Sequence, residues 1–447
     1  MLLNQNIKLG DIIRFEVYSN NGSKSIDIRS GINEFYYYES ILENTIAARV
    51  ILSDTGFSFP SDGGASNLYD ELNLQGAEKA YLGYIDGNGF QVRFDTDANA
   101  FYVNKINKIA ENTLSTTLSL ELVTKEFLDN EFLDNKVVQR YDGKPSDVVV
   151  KILRENLKTK KKIFTHNTIN KDVAVGQFSF PLQMCRELSA RSVPDIPKAN
   201  GKSAGYLFFE SRDGFNFLSI DKILDTKTLP YKSYIYTETT SIPPGYTGKI
   251  LRIDGYFENV DVQDALRKGT YGKELVTFDA RKDDAPQKGQ GITKGEQKGG
   301  VILGGKEFPD YSSIFSKKTK REFEPLSNYT YNDKLSPEEQ LKNSDQEYFD
   351  IKNVITQAST RYNQIFAIQL SITIPLDASL RAGDVILCDF PEISSKKTQP
   401  ISDKKSGIYM IADLCHYITP RKGGYTKLNL IRDSYGRKTG TFKLNFS

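Results

Sequence analysis

The sequence predicts a mainly β fold with α+β parts, and three observations carry that prediction. Both ends of the chain consist of short segments in which apolar and polar residues alternate, the period of a half-buried strand. The middle switches to a spacing of three and four, the period of an amphipathic helix. A long polar tract with neither period interrupts the second alternating region. The 447 residues are enough for about three domains.

Residues 1–125 form the first β unit. "DIIRFEVYSN", "TIAARVILSD", "GFQVRFDTD", "AFYVNKINKI" and "LSTTLSLELVTKEF" read as successive strands. In the last of these Leu118, Leu120 and Leu122 share one face, and Thr117, Ser119 and Glu121 the other. Short strands divided by Gly, Asn and Asp turns predict a small barrel or a sandwich.

Residues 126–225 read as a mixed α/β domain with two helices and a hairpin. In "GKPSDVVVKILRENLKTKKK" Pro145 stands near a helix start, followed by the stripe Val148, Val149, Ile152, Leu153 and Leu157. The basic run from Lys158 to Lys162 suits the negative end of that helix dipole. A second helix begins near Pro181 with the stripe Leu182, Cys185 and Leu188. "GYLFFESRDGFNFLSIDKIL" then predicts a hairpin turning at Asp213–Gly214.

Residues 226–280 and 350–447 form the second β unit. "AIQLSITIP" points Ile368, Leu370, Ile372 and Ile374 inward, and burying each is worth roughly 1.5–3 kcal/mol before entropy. Between its two parts lies the polar insertion 281–349. "RKDDAPQKGQGITKGEQKGG" has no apolar period and predicts a mobile loop or linker, a candidate docking segment for a partner. The two β units share a pattern: "AFYV" at 100–103 matches "GIYM" at 407–410, and "TLSLELV" at 117–123 matches "KLNLIRD" at 427–433. Two readings fit, an internal duplication or the general likeness of amphipathic hairpins.

Composition narrows the function. With 59 basic and 57 acidic side chains the net charge is +2, which lacks the basic excess of a protein that grips nucleic acid by its phosphates. No apolar run reaches the roughly eighteen residues of a membrane span. The N-terminus "MLLNQNIKLGDIIRFEV" passes straight into a strand pattern, and no export signal is expected. Cys185, Cys388 and Cys415 are scattered and odd in number, which fits folding in a reducing compartment. Cys415 and His416 are neighbours on a strand and face opposite sides, so they cannot readily share a metal.

Catalytic motifs fail on spacing. Gly201-Lys202-Ser203 ends like a phosphate loop, but Ile196 stands where its first glycine belongs. "DTDAN" at 95–99 opens like a calcium loop, yet Ala100 and Ile106 replace the turn glycine and the bidentate glutamate. "GQGITKG" lacks the flanking strand and helix of a dinucleotide site. No nucleophile elbow accompanies His166 or His416. The expectation is no catalytic, cofactor-binding or metal-ligating residues and no cofactor.

Several ordered segments carry a resemblance. They are "YYYESILENTIAARVILSDTG" (36–56), "SFPLQMCRELSARSV" (179–193), "GYLFFESRDGFNFLSID" (205–221), "GTYGKELVTFDARK" (269–282), "RAGDVILCDFPE", "SGIYMIADLCHYI" and "LNLIRDSYG". Together the chain resembles the baseplate central hub proteins of contractile-tailed phages, whose fold is shared by the hub part of type VI secretion spike proteins. The resemblance implies two related small antiparallel β-barrels per chain and a homotrimer whose six modules form a pseudo-sixfold ring. Such a ring joins a sixfold tail tube protein to a threefold central spike protein, contacts other baseplate proteins, and lets DNA pass through its lumen without specific binding. It implies a place in the virion's tail baseplate after synthesis in the host cytoplasm, with no membrane span. It also implies that Tyr36, Tyr37 and Tyr38 serve either a subunit interface or the core. Two other readings remain open, a cell-wall-degrading tail enzyme and a carbohydrate-binding tail adhesin. No hydrolase module is left over, and the absence of Trp weakens the adhesin.

Overall fold

A computed structural model describes residues 10–56, 67–195, 203–224, 231–237, 245–258, 262–270, 272–278, 290–293, 301–304, 317–325, 351–391, 401–402, 404–420 and 422–436. The first strands are β1 (Asp11–Tyr18), β2 (Ser25–Asp27), β3 (Ile32–Ser40), β4 (Ala47–Asp54), β5 (Lys79–Ile85), β6 (Gln91–Phe94), β7 (Phe101–Glu111) and β8 (Thr116–Thr124). The α/β part holds β9 (Arg140–Gly143), α1 (Pro145–Glu155), β10 (Lys162–Thr165), β11 (Asp172–Val175), α2 (Pro181–Ala190), β12 (Tyr206–Ser211) and β13 (Gly214–Ser219). Then come β14 (Ser233–Tyr236), β15 (Lys249–Ile250), β16 (Arg252–Glu258), β17 (Gly272–Phe278), β18 (Gln290–Thr293) and β19 (Lys320–Pro325). The chain continues with α3 (Ile351–Ile365), β20 (Ile368–Pro375), β21 (Val385–Asp389), β22 (Gly407–Thr419) and β23 (Gly423–Arg432).

The same five-strand sheet occurs twice. In the first copy the order is β3-β4-β8-β7-β5, in the second β16-β20-β23-β22-β21, and every neighbouring pair is antiparallel. The likeness extends to irregularities. β7 bulges after Val103, which faces Leu122, and β22 bulges after Ile411, which faces Leu430. Both peptides that enter the third strand close on the fourth in the same way. Ala77 N donates to Val103 O at 2.7 Å and Gly383 N to Ile411 O at 2.8 Å. The return bonds, Val103 N to Glu78 O and Ile411 N to Asp384 O, are both 2.9 Å. Amphipathic hairpins in general have no reason to agree at this level.

The structure corrects the sequence alignment of the two copies. Val103 matches Ile411 rather than Met410, and Leu120 rather than Leu118 matches Leu428. Residues 407–412 are all buried, so the alternation that would fix their phase is missing.

The two barrels do not stand as closed, separate objects among the described residues. β22 is long: its first half pairs β21 and its second half pairs β3, so both copies run into one 15-stranded sheet. One core cluster runs through both copies, from Phe15, Tyr37 and Val50 to Ile372, Tyr409 and Leu430.

The α/β part has its own core. Pro145 opens α1, and Val148, Val149, Ile152 and Leu153 are buried along it, as expected. They meet Leu182, Cys185 and Leu188 of α2 and the sheet β10-β13-β12. Gly214 turns the β12–β13 hairpin with φ 136°, and a Cβ there would meet Lys162 O at 2.2 Å. The basic run after α1 does not serve the helix dipole throughout: Lys161 is buried between two carboxylates, and Lys162 starts β10.

Part of the insertion has regular structure. β18 pairs antiparallel and β19 parallel with β17, where the sequence predicts a loop. The rest of 281–349, like Gly201 and Lys202, lies mainly outside the described residues.

Candidate assembly site at the join of the two copies

The join is built by β3 lying along the outer half of β22. The register runs from Ser40 opposite Asp413 to Phe35 opposite Ile418. Alternation splits the tyrosine run between two faces. Tyr37 is fully buried, and its ring stacks on His416 at 5.9 Å and 11°. Burial, and then Arg212, push the imidazole down to about 3, so His416 is neutral, with Nδ1 2.8 Å from Thr426 Oγ1. Tyr37 Oη donates to Glu39 at 2.7 Å. Burial raises the Glu39 carboxyl, against the pull of that bond and of the Ala382 and Arg212 N–H groups at 2.9 and 2.7 Å. On the opposite face Tyr38 and Tyr36 stack at 6.1 Å, Tyr36 meets Tyr417 at 4.9 Å, and Tyr417 meets Tyr425 at 4.7 Å. A strip of four tyrosines thus crosses β3, β22 and β23.

The α/β part is pinned to this join by charged side chains, most of them buried and one pair exposed. At the tip of the β12–β13 hairpin, Arg212 donates to Leu380 O at 2.9 Å and Ser379 O at 2.7 Å, over the ring of Phe90. Arg381 reaches back to Asp213 at 2.7 Å. Beneath the hairpin Lys161 Nζ sits 2.6 Å from both Glu126 and Glu210, all three side chains being buried. Burial pushes Glu210 up to about 7, against the attraction of Lys161. Burial would lower Lys161, but the two carboxylates outweigh it and raise it. Sequence spacing gave no sign of this triad, because its members come from 126, 161 and 210.

The residues nominated by motif do not converge. Cys185 and Cys388 are buried, which lifts both thiols, while Cys415, partly buried, is pushed up to about 11. His166 accepts from Ser219 N at 3.1 Å, and burial pushes it down to about 4. It lines a cleft of about 320 Å³ with Phe209, Asn216, Arg381 and Asp384. Ser203 donates to Asp221 at 2.7 Å instead of facing a phosphate site. Asp97 pairs with Lys79 at 2.9 Å. Among the described residues no cluster of His, Cys, Asp and Glu is arranged to hold a metal, and no helix is long and apolar enough to cross a membrane. An exposed apolar set on the α/β part, Phe132, Leu133, Val138 and Phe178, escaped the sequence reading because its members do not recur at a period.

No family profile matches the sequence, and no curated protein matches it. Solved structures do match. A tail protein from Neisseria meningitidis MC58 superposes with a TM-score of 0.52 at 9% identity, over 95% of this chain and 97% of that one. The 43 kDa tail protein of prophage MuSo2 from Shewanella oneidensis superposes with a TM-score of 0.50 at 8% identity, over 95% and 99%. At such identities the likeness concerns architecture, end to end in both molecules, and the mainly β, α+β fold of this chain is that of these tail proteins.

Proposed function

We propose that this chain is a structural, non-enzymatic hub of a contractile phage tail's baseplate. Three copies form a pseudo-sixfold ring that joins the tail tube to the central spike and lets DNA through its lumen. The supporting observation is the doubled five-strand sheet with its matching bulges and turn bonds. A chain with two equivalent modules offers six equivalent surfaces from three copies, which suits a partner of sixfold symmetry on one face and threefold on the other. Closure requires heterologous contacts between neighbours, and permanent ones usually bury more than about 2,000 Å². The tyrosine strip and the exposed apolar set are the surfaces offered to the tube, the spike or other baseplate proteins. The lumen is neutral or acidic, so that DNA slides without sticking. Electron microscopy of the purified chain tests the reading directly. Closed rings of three copies are expected, and a protein that stays monomeric at all concentrations sinks it. Incubation with peptidoglycan should give no turnover.

A further inference from the structure

Inside one chain, the first strand of one copy of the sheet docks on the outer flank of the fourth strand of the other: β3 on β22. The duplication supplies a second such pair, β16 and β7, which do not meet within the chain among the described residues. Resting on the ring reading above, we propose that β16 of one molecule pairs antiparallel with the outer half of β7 of the next, repeating the internal join between copies.

The free edges are where this requires them. β7 pairs β8 along its length but β5 only at Phe101 and Tyr102. Beyond that point Lys105, Lys108, Ile109 and Ala110 are exposed, Ile109 by 53%. As far as Lys108 this stretch corresponds to the part of β22 that β3 covers, while Ile109 stands in a second bulge of β7, before Ala110, that β22 lacks. Among the described residues β16 pairs β20 alone, and Phe257 is 62% exposed. A hydrophobic side chain on an open strand edge invites another strand.

The internal join also sets the register. Ala48 faces Leu122 and Leu370 faces Leu430, and those two leucines are equivalent. Tyr37, opposite Ala48, therefore corresponds to Tyr256, opposite Leu370, and Tyr38 to Phe257. Cys415 faces Lys427 and Asn107 faces Ser119, which makes Asn107 the counterpart of Cys415 and Lys108 that of His416. Tyr38 lies opposite Cys415. Phe257 of one copy thus lies opposite Asn107 of the next, and Tyr256 opposite Lys108.

Disulfide trapping in the full-length chain tests this, in a Cys415→Ser background. Directly opposed strand residues have Cα atoms about 4.5–5.5 Å apart, within disulfide reach. Neither Asn107 nor Phe257 belongs to the buried core. Mild oxidation of Asn107→Cys with Phe257→Cys should give covalent trimers on a non-reducing gel. Pairing Asn107→Cys with Tyr256→Cys, one residue out of register, should lose that band. Hydrogen exchange should show the amides of 105–110 and 252–258 that point away from β8 and β20 protected in rings and exchanging faster in dilute single chains. Closed rings without the aligned crosslink overturn the strand pairing and leave the ring reading standing. Monomers without crosslink overturn both. Dimers from Phe257→Cys alone overturn the pairing by showing that β16 meets its own copy, and equal linking by both double variants overturns the register.

Discussion

Glu210 is the residue whose chemistry reaches furthest. Its carboxylate meets Lys161, accepts from Ile46 N and Thr124 Oγ1, both at 3.2 Å, and is pushed up to about 7 chiefly by burial. A folded-state value above the unfolded one favours the protonated fold. The stabilisation is complete below about pH 4.5 and is lost as pH rises through about 7. The full difference is on the order of 3 kcal/mol. Thermal unfolding at pH 5 and pH 8 should show the wild type losing more stability than Glu210→Gln over that interval; identical slopes count against a buried, protonating Glu210. Lys161→Met leaves both Glu126 and Glu210 without their shared cation and should lower stability by about 3 kcal/mol at pH 8 in urea titrations. Spacing links none of the three in the sequence: Lys161 reads as one member of the basic run after α1, and Glu126 and Glu210 are two acids among 57.

At the level of elements, the equivalent turns at Ala77 and Gly383 make a sharper comparison. Both hold positive φ, 67° and 83°, and both donate to the fourth strand of their sheet. Glycine takes that conformation freely, whereas alanine is strained there by about 1–2 kcal/mol. Ala77→Gly should therefore raise stability by up to about 1 kcal/mol, after the entropy that glycine adds to the unfolded chain. Gly383→Ala should lower it, since a Cβ there falls 2.9 Å from the Phe209 ring. Denaturant midpoints of the two variants should move in opposite directions. Elements were legible where apolar residues recur at the element's own period: α1, α2, β8 and β20 follow from theirs. The register between the copies was not, because β22 is buried on both faces along its first half. Helix α3 was missed as well. Its Val354, Ala358 and Ile365 do recur at helical spacing, but Thr, Asn and Gln between them weaken the propensity, and burial against other elements decides the outcome.

For the whole molecule, the decisive feature is that β22 belongs to both copies at once. A sequence with two β units separated by an α/β segment suggests independent blocks, and nothing local in the chain indicates that strand 407–419 exceeds the needs of its own sheet. The excess length is what lets β3 join, and with it Tyr37 and His416 seal one core through both copies. Damage in one copy should then be felt in the other. Ile372, fully buried in β20, is a suitable probe, because truncation to alanine costs about 2–5 kcal/mol. Hydrogen exchange of Ile372→Ala should show β4, in the other copy, losing protection along with β20 and β23. If β4 keeps its wild-type protection while only the second copy opens, the two sheets are separate cooperative units that merely touch. Such separate units would also lack the rigid internal template from which a neighbouring molecule's strand register can be read.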